Sequence, residues 1–198
     1  MEKTVYFRSF EEEDAEYIFK WMNDDELKEL SVGLNRRMCR EEALEWVKAR
    51  MRYQEYNVFW AICSVTENKI IGYMSLNTIH YINRSANFGG LVIGDKKYQD
   101  GTAWIEAYIF ILDYAFERLN LNRLYGTYID GHPATKAMAD AVFFISEGVL
   151  RQSVFKNGKY NDEIIASLLA QDYFEHKRNG EYRYNSILKR LIHNIKIK

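Results

Sequence analysis

The residues best suited to chemistry lie in the polar segment Asp95–Ala103 (DKKYQDGTA), which separates two apolar stretches. Before it, Gly89–Gly94 is a short apolar run bounded by Gly and Asp, which is typical of a buried strand. After it, apolar residues from Ile105 to Leu119 recur at steps of three and four, which predicts an amphipathic helix. A helix that begins after such a turn has unpaired backbone donors and a positive dipole end, so the segment is suited to bind phosphate. A plain tight turn at Gly101 has the same pattern.

Residues that could bind a metal or form a disulfide are scattered along the chain. Cys39 and Cys63 are isolated, with no CxxC motif and no matching His spacing, which favours free thiols in a reducing cytoplasm. The histidines are equally dispersed, at His80, His132, His176 and His193. We therefore expect no metal site and a cytoplasmic protein.

Composition bounds the class of protein. The 198 residues are 47% hydrophobic and 15% aromatic, enough for one substantial core. The formal net charge of −1 argues against nucleic acid as a main partner. No apolar run approaches the length of a membrane span, and the N-terminal residues resemble neither a signal nor a transit peptide.

The rest of the chain must supply the elements that position the phosphate-binding segment. Its patterns predict the order β-α-α-β-β-β-α-β-α-β-β, followed by a tail. The predicted strands are Thr4–Phe10, Val58–Val65, Lys69–Leu76, Gly89–Gly94, Asn122–Tyr128, Gly148–Phe155 and Tyr160–Leu169. Helices are predicted from Glu11 to about Asn23, from Arg40 to about Tyr53, from Ile105 onwards, and from Pro133 to about Phe143. In the first two, apolar residues at helical spacing predict a buried side, which contains Ala15, Ile18, Phe19 and Met22 in one helix and Ala43, Leu44, Val47 and Met51 in the other. Asp24–Met38 is expected to be an irregular loop, and His80–Ser85 a polar link. Short polar connections, including Asn157-Gly158, predict two antiparallel hairpins.

Four stretches of the chain resemble N-acetyltransferases of the GNAT superfamily, in the branch of ribosomal-protein alanine, spermidine and amino-sugar acetyltransferases. They are Phe7–Asp24, Gly90–Ala107, Leu112–Gly126 and Ser146–Leu169. The last is the most specific, because EGVLR and NGKYND match that branch in both residues and spacing. The resemblance implies a GNAT fold of the α/β (α+β) class, with a central mixed, mostly antiparallel sheet of about seven strands flanked by helices. Length and composition predict a single domain over residues 1–178, and apolar residues at helical spacing with Lys and Arg between them predict a basic amphipathic tail helix over 179–198.

The resemblance further implies acetyl-CoA as co-substrate. Its pantetheine would pair with backbone of the opening strand, and its pyrophosphate would lie on the amides before the long helix. The implied cofactor-binding residues are Leu91, Val92, Ile93, Gln99, Asp100, Gly101, Thr102 and Ala103. A primary amine would attack the thioester directly, and a strand amide near Leu91 would stabilise the oxyanion.

The loop motif of the family, R/Q-x-x-G-x-G/A, fits this chain in two alignments. Without a gap, Gln99 fills the first position but Trp104 stands at the last small position. Shifted by one residue, Gly101 and Ala103 fit, while Tyr98 stands where Arg or Gln belongs. We prefer the shift, because Gly and Ala permit close backbone approach to a pyrophosphate whereas Trp does not.

The family's proton-transfer residues are replaced. Ala139 stands for the tyrosine that protonates the CoA sulfur, His132 for an asparagine that begins the last helix, and Asn87 for a strand glutamate. Our candidate catalytic residues are therefore His132 and Asn87. Simpler roles are a helix cap for His132 and strand hydrogen bonding for Asn87.

Two functions follow from these replacements. The first is an active N-acetyltransferase that acts on a primary amine of a small molecule, an amino sugar or a protein N-terminus. Its acids Asp24, Glu26 and Glu29 would either meet a cationic amine or simply be solvated. The alternative is a catalytically degenerate acyl-CoA-binding or interaction protein on the same fold. The tail would pack on the domain or on a second subunit of a homodimer, and membrane-surface binding is the less favoured role.

Overall fold

The computed structural model describes residues 2–29 and 36–196. Within these residues the strands are β1 (Val5–Arg8), β2 (Val58–Ser64), β3 (Ile70–His80), β4 (Ser85–Ile93), β5 (Arg123–Ile129), β6 (Ile145–Lys156) and β7 (Lys159–Leu169). The α-helices are α1 (Ala15–Met22), α2 (Asp25–Glu29), α3 (Arg40–Met51), α4 (Thr102–Asp113), α5 (Pro133–Ala141), α6 (Ala170–Arg178) and α7 (Tyr184–Lys196).

The strands form a seven-stranded sheet in the order β1-β2-β3-β4-β5-β7-β6. The β4–β5 pair is parallel, whereas the β1–β2, β2–β3, β5–β7 and β6–β7 pairs are antiparallel. The predicted fold class is thereby confirmed, and so are both predicted hairpins. At the second hairpin Asn157 and Gly158 have φ angles of 53° and 75°, which explains the choice of these two residue types.

The chain forms two compact units, and β3, β4 and α4 each contribute residues to both. The first unit contains residues up to 77 together with 89–107. Its core lies between α1, α3 and β2, where Ile18, Ala43, Val47 and Ala61 are fully buried. The apolar periodicity of the two helices predicted these buried positions on α1 and α3, because one face of each helix must leave water.

A carboxylate anchors the N-terminal strand within the first unit. Glu106 on α4 accepts hydrogen bonds from the backbone amides of Thr4 and Val5 at 3.0 and 3.2 Å, and from the Thr4 hydroxyl at 2.8 Å. The start of β1 is therefore held by a side chain about a hundred residues away in the chain.

The second unit contains residues 78–88 and those from 108 onwards. Here α7 packs on α5. Arg190 Nε donates to the Ala141 carbonyl at 2.8 Å, Asn194 Nδ2 donates to the Ala137 carbonyl at 3.1 Å, and Ile187 is fully buried. The tail thus packs on its own chain, which is one of the two packing positions that the sequence allowed.

Several predicted boundaries were wrong. Asp25–Glu29 is helical rather than irregular, while 30–35 lie outside the described residues. The link after β3 is only 81–84, because β3 extends to His80 and β4 begins at Ser85. The sequence patterns did not predict α6. Most of its residues are charged or polar, so they show no apolar periodicity, although Tyr173 is fully buried. Met51, expected on the buried side of α3, is 42% exposed because it lies at the end of the helix.

Candidate active site

The turn before α4 has the backbone geometry that the sequence predicted for a phosphate-binding segment. A short 3-10 turn, Lys96–Tyr98, follows β4, and α4 then begins at Thr102. Gly101 has a φ of 95°, a conformation that side chains disfavour. The turn therefore requires glycine at this position. Gly101 directly precedes the N-terminus of α4, where the first backbone amides have no acceptor within the helix.

Two side chains of this turn bond to nearby backbone. Gln99 Nε2 donates to the Ile93 carbonyl at 2.8 Å, so the turn is joined to the end of β4. The Asp100 carboxylate accepts a hydrogen bond from the Thr102 amide at 2.9 Å. The backbone amide of Gln99 donates to the Lys96 carbonyl at 3.3 Å. Two of the five amides proposed for pyrophosphate thus have partners within the turn.

The lysines of the turn pair with acids. Lys96 Nζ lies 2.6 Å from a Glu26 carboxylate oxygen and 3.7 Å from one of Asp24. Lys97 pairs with Glu67. Two of the three acids that the sequence offered for a cationic amine, Asp24 and Glu26, therefore already face an ammonium group.

The strand β4 changes character where the predicted pantetheine-binding residues begin. Gly90 has a φ of 111° inside the strand, and Gly89 and Gly90 are both exposed. Beyond them Leu91 and Val92 are half-buried, whereas Ile93 is 3% exposed and its carbonyl accepts from Gln99. The positive φ of Gly90 thus breaks the regular extended backbone of β4 just before the predicted pantetheine-binding residues. The Ile93 carbonyl already accepts a hydrogen bond from Gln99.

The candidate catalytic residue Asn87 lies in the parallel pairing of β4 with β5, which spans Ser85–Asn87 on one strand and Arg123–Tyr125 on the other. Asn87 is opposite Tyr125 and is half-buried. Asn87 is the last residue of β4 that pairs with β5.

The other candidate, His132, begins α5. Its Nδ1 accepts a hydrogen bond from the Thr135 amide at 3.2 Å, which is the capping role that its position before Pro133 indicated. Because Nδ1 accepts, the neutral ring carries its proton on Nε2. Nε2 is buried and has no hydrogen-bond partner among the described residues. His132 and Asn87 both lie in the second unit, but no hydrogen bond of the described residues joins them.

A group of residues on the α1 and α3 side of β3 was missed by sequence reasoning. Arg50, in the last turn of α3, places its guanidinium 3.5 Å from the Trp46 ring centroid and 5.0 Å from that of Phe59. The rings of Trp46 and Tyr73 lie 5.3 Å apart. Burial lowers the pKa of Arg50 to about 10, so its charge persists at neutral pH, and burial raises the pKa of Tyr73 to about 12. The signal that could have identified Arg50 was its spacing of three residues from the buried Val47.

Asn77 and Gly89 extend this group along the sheet. A Cβ added to Gly89 would lie 2.0 Å from Asn77 Nδ2 and 2.5 Å from Ser75 Oγ, so glycine is required for these side chains to reach across β4. Asn77 Oδ1 is buried without a hydrogen-bond partner in the described part of the chain. An acceptor in that state favours a ligand that donates to it.

Two negative findings concern the described residues only. Within 2–29 and 36–196, no three His, Cys, Asp or Glu side chains are grouped so that they could hold a metal ion. The helices of this part of the chain are too short or too polar to cross a bilayer.

Comparison with known proteins places this architecture among acetyltransferases. Residues 4–142 match the acetyltransferase (GNAT) domain family. The chain is 31% identical to a spermidine N(1)-acetyltransferase of Vibrio cholerae, over 54% of this chain and 61% of that protein. It is 27% identical to YdaF of Bacillus subtilis over 54% of this chain and 57% of that protein. YdaF is named as a proposed ribosomal N-acetyltransferase. The chain thus spans about three fifths of the length of these two relatives.

The fold itself is shared more fully. A crystal structure of spermidine N-acetyltransferase from Vibrio cholerae, in complex with CoA and spermine, superposes with a TM-score of 0.78. The match covers 87% of this chain and 99% of that one, at 22% sequence identity. At this identity the likeness establishes the fold of the chain, and the substrate of that protein is not transferred with it.

Proposed function

We propose, since this chain belongs to the acetyltransferase (GNAT) family, that it transfers the acetyl group of acetyl-CoA to a primary amine. The family membership predicted from the four sequence stretches is confirmed, and it supports acetyl transfer to an amine. The observation that carries the proposal for this chain is the turn before α4, where Gly101 with a φ of 95° directly precedes the first amides of the helix. Such a turn is suited to the pyrophosphate of a nucleotide-containing substrate.

Our proposed acetyl-CoA contacts keep five of the eight residues implied by the sequence, because Ile93, Gln99 and Asp100 already bond within the protein. The pyrophosphate would lie on the amides of Gly101 and Ala103, with the Thr102 amide joining them when Asp100 releases it. The pantetheine would pair with β4 at Leu91 and Val92. The side-chain bond from Gln99 to Ile93 would hold the turn and the strand in register.

The proposed reaction forms a carbon–nitrogen bond and breaks the carbon–sulfur bond of the thioester. The attacking amine must first lose its ammonium proton, and the departing thiolate must gain one. His132 is proposed to donate a hydrogen bond from Nε2 to the departing sulfur, because Nε2 carries the hydrogen of the neutral ring and has no partner among the described residues. The proton that the thiolate gains comes from the attacking nitrogen, which loses it as the amide forms. Asn87 is proposed to orient water or the amine by hydrogen bonding, since an amide side chain cannot accept a proton at neutral pH.

Location and assembly are part of the same proposal. The isolated cysteines, of which Cys63 is buried and Cys39 exposed, suit a reducing cytoplasm. The exposed apolar side chains of the edge strand β6, Ile145, Val149 and Phe155, suit a homodimer.

Isothermal titration of acetyl-CoA and of free CoA into the protein is the first test. Micromolar binding of both supports the proposal. Release of free thiol with a panel of primary amines, including spermidine, then tests turnover. No binding at millimolar ligand, or binding without turnover of any amine, would overturn the proposed enzyme.

A second candidate is an acyl-CoA-binding protein without turnover. One observation favours it. Ala139, which stands for the family's tyrosine, is buried in α5. Binding of CoA and acetyl-CoA without acetylation of any amine would establish this second function.

A further inference from the structure

We infer that the acceptor of this protein is an amine that also carries an anionic group, and that Arg50 binds this anion. The inference rests on the proposed acetyltransferase function and names its substrate class. It is drawn from the side of β3 that faces α1 and α3, where Arg50, Tyr73, Ser75 and Asn77 are described above. All of these residues belong to the first unit.

Among the described residues, no carboxylate pairs with Arg50. Its guanidinium donates to the Trp46 carbonyl at 3.0 Å and lies against the rings of Trp46 and Phe59. The Tyr73 hydroxyl also interacts with it, and this group is neutral at pH 7 because burial raises its pKa to about 12. The undescribed segment 30–35 contains no acid either. A half-buried guanidinium of this kind is suited to bidentate binding of a carboxylate or phosphate.

Four of the five other arginines of this unit pair with carboxylates, and the fifth, Arg52, is exposed to solvent. Arg8 pairs with Asp14 at 2.8 Å, Arg36 with Glu42 at 2.6 Å, and Arg40 with Glu16 at 2.8 Å. Arg37 pairs with Asp25 at 3.0 Å. Each of these four exposed or half-buried arginines therefore has a carboxylate partner, whereas no described carboxylate pairs with the half-buried Arg50.

A complementary acceptor for the amine lies on the same side of β3. Phe59, which contacts Arg50, is directly opposite Ser75 in the β2–β3 pairing, and Asn77 follows two residues later on the same face. Asn77 Oδ1 is buried without a donor, and the exposed Gly89 of the neighbouring strand lies beside it. A substrate with its anion on Arg50 would be able to donate an amine hydrogen to Asn77.

Three acids that could bind a polycationic acceptor are already paired in this unit. Asp24 and Glu26 face Lys96, and Glu67 faces Lys69 and Lys97. The charge pattern thus favours an amine bearing an anion over a polyamine.

Matched pairs of amines test the inference. The carboxylate pairs are ω-amino acids of increasing length, from glycine to 6-aminohexanoate, and their carboxamides. The phosphate pair is O-phosphoethanolamine and ethanolamine. Binding is measured by titration into the wild-type protein with and without saturating CoA, so that no turnover is needed. We expect the anionic member of one pair to bind roughly tenfold tighter or better, and the preferred pair identifies the anion.

Variants assign the preference to Arg50. Arg50→Met should abolish it, Arg50→Lys should retain part of it, and the exposed Arg52→Met, which removes the same charge two residues away, should leave it intact. Circular dichroism and thermal unfolding confirm the fold of each variant. If Arg50→Met does not fold, Arg50→Lys decides alone, because a bidentate site should still lose affinity on that change.

Three outcomes would overturn the inference. They are absence of any preference in the wild-type protein, a preference that survives in Arg50→Met, and tighter binding of spermidine than of every anionic amine. Failure of acetyl-CoA binding or of thiol release would instead refute the proposed function. The anion preference would then still stand as a property of this surface.

Discussion

The Asp100 carboxylate accepts the Thr102 amide hydrogen at 2.9 Å, and it does so at the first residue of α4, where the proposed pyrophosphate would lie. A carboxylate here competes with phosphate for the same donor and repels it. The same contact stabilises the free protein by capping the helix. With the pyrophosphate at the proposed position, acetyl-CoA binding would require this side chain to release the amide.

Replacement of Asp100 by Asn should tighten acetyl-CoA binding. The amide keeps a hydrogen-bond acceptor for Thr102 but removes the negative charge, so we expect roughly two- to fivefold higher affinity at low salt. The gain should shrink as salt is added. Isothermal titration measures it, with Glu13→Gln, an exposed acid of the same unit, as the control for net charge. Unchanged or weaker binding by the Asp100 variant would show that the pyrophosphate does not bind at this turn.

Replacement of Gly101 by Ala should weaken acetyl-CoA binding as well as the fold. The φ of 95° is unfavourable for alanine, which should cost roughly 1–2 kcal/mol of unfolding free energy. Gly158→Ala is the matched control, because Gly158 has a φ of 75° at a hairpin tip with no atom near its added Cβ. Both variants should unfold at lower denaturant, and only Gly101→Ala should raise the Kd of acetyl-CoA. Equal Kd values in the two variants would contradict the proposed cofactor site.

His132 can be tested for its two roles separately. His132→Asn keeps a good capping residue before Pro133 and removes Nε2, whereas His132→Ala removes both. We expect the Asn variant to keep its stability and the Ala variant to lose about 1 kcal/mol. If Nε2 donates a hydrogen bond to the departing sulfur, kcat should fall about 100-fold in both variants. A wild-type kcat in His132→Asn would leave His132 with the capping role alone.

The acid dependence of stability should involve Glu147, which links three strands of the second unit. Hydrogen bonds from Arg123, and then from Ser167 at 2.7 Å, lower the pKa of Glu147 to about 2. Because the folded-state pKa lies below the unfolded value near 4.5, the stabilisation is complete above that pH and is lost as the pH falls towards 2. Since the side chain is 38% exposed, solvent screening reduces the effect to below about 1 kcal/mol.

Glu147→Gln should therefore flatten the fall in unfolding free energy across this acid range. Urea unfolding of the wild-type and variant proteins at several pH values measures the difference. Glu175→Gln, at an exposed position on α6, serves as the control. An unchanged acid slope in Glu147→Gln would show that the cluster with Arg123 contributes nothing to the pH dependence.

Features that depend on residues close together in the chain were predicted from the sequence. The strand, turn and helix around Gly101 follow from apolar periodicity and from one glycine, and the β6–β7 hairpin follows from Asn157-Gly158. The contact between Asp100 and Thr102 is also local, and the Asp-Gly-Thr sequence carries a turn signal that would have predicted it.

The sequence by itself thus determined the order of the strands and of four of the helices that lie between them, the family, and the position of the turn before α4, because each is encoded in short-range patterns of residue type. Only the tertiary structure decided which polar groups lack partners. Among the described residues, α3, β2 and β3 bring aromatic rings to Arg50 but no carboxylate pairs with it, and His132 Nε2 and Asn77 Oδ1 are buried without hydrogen-bond partners. Burial and pairing depend on which elements pack together, and no single stretch of sequence contains that information.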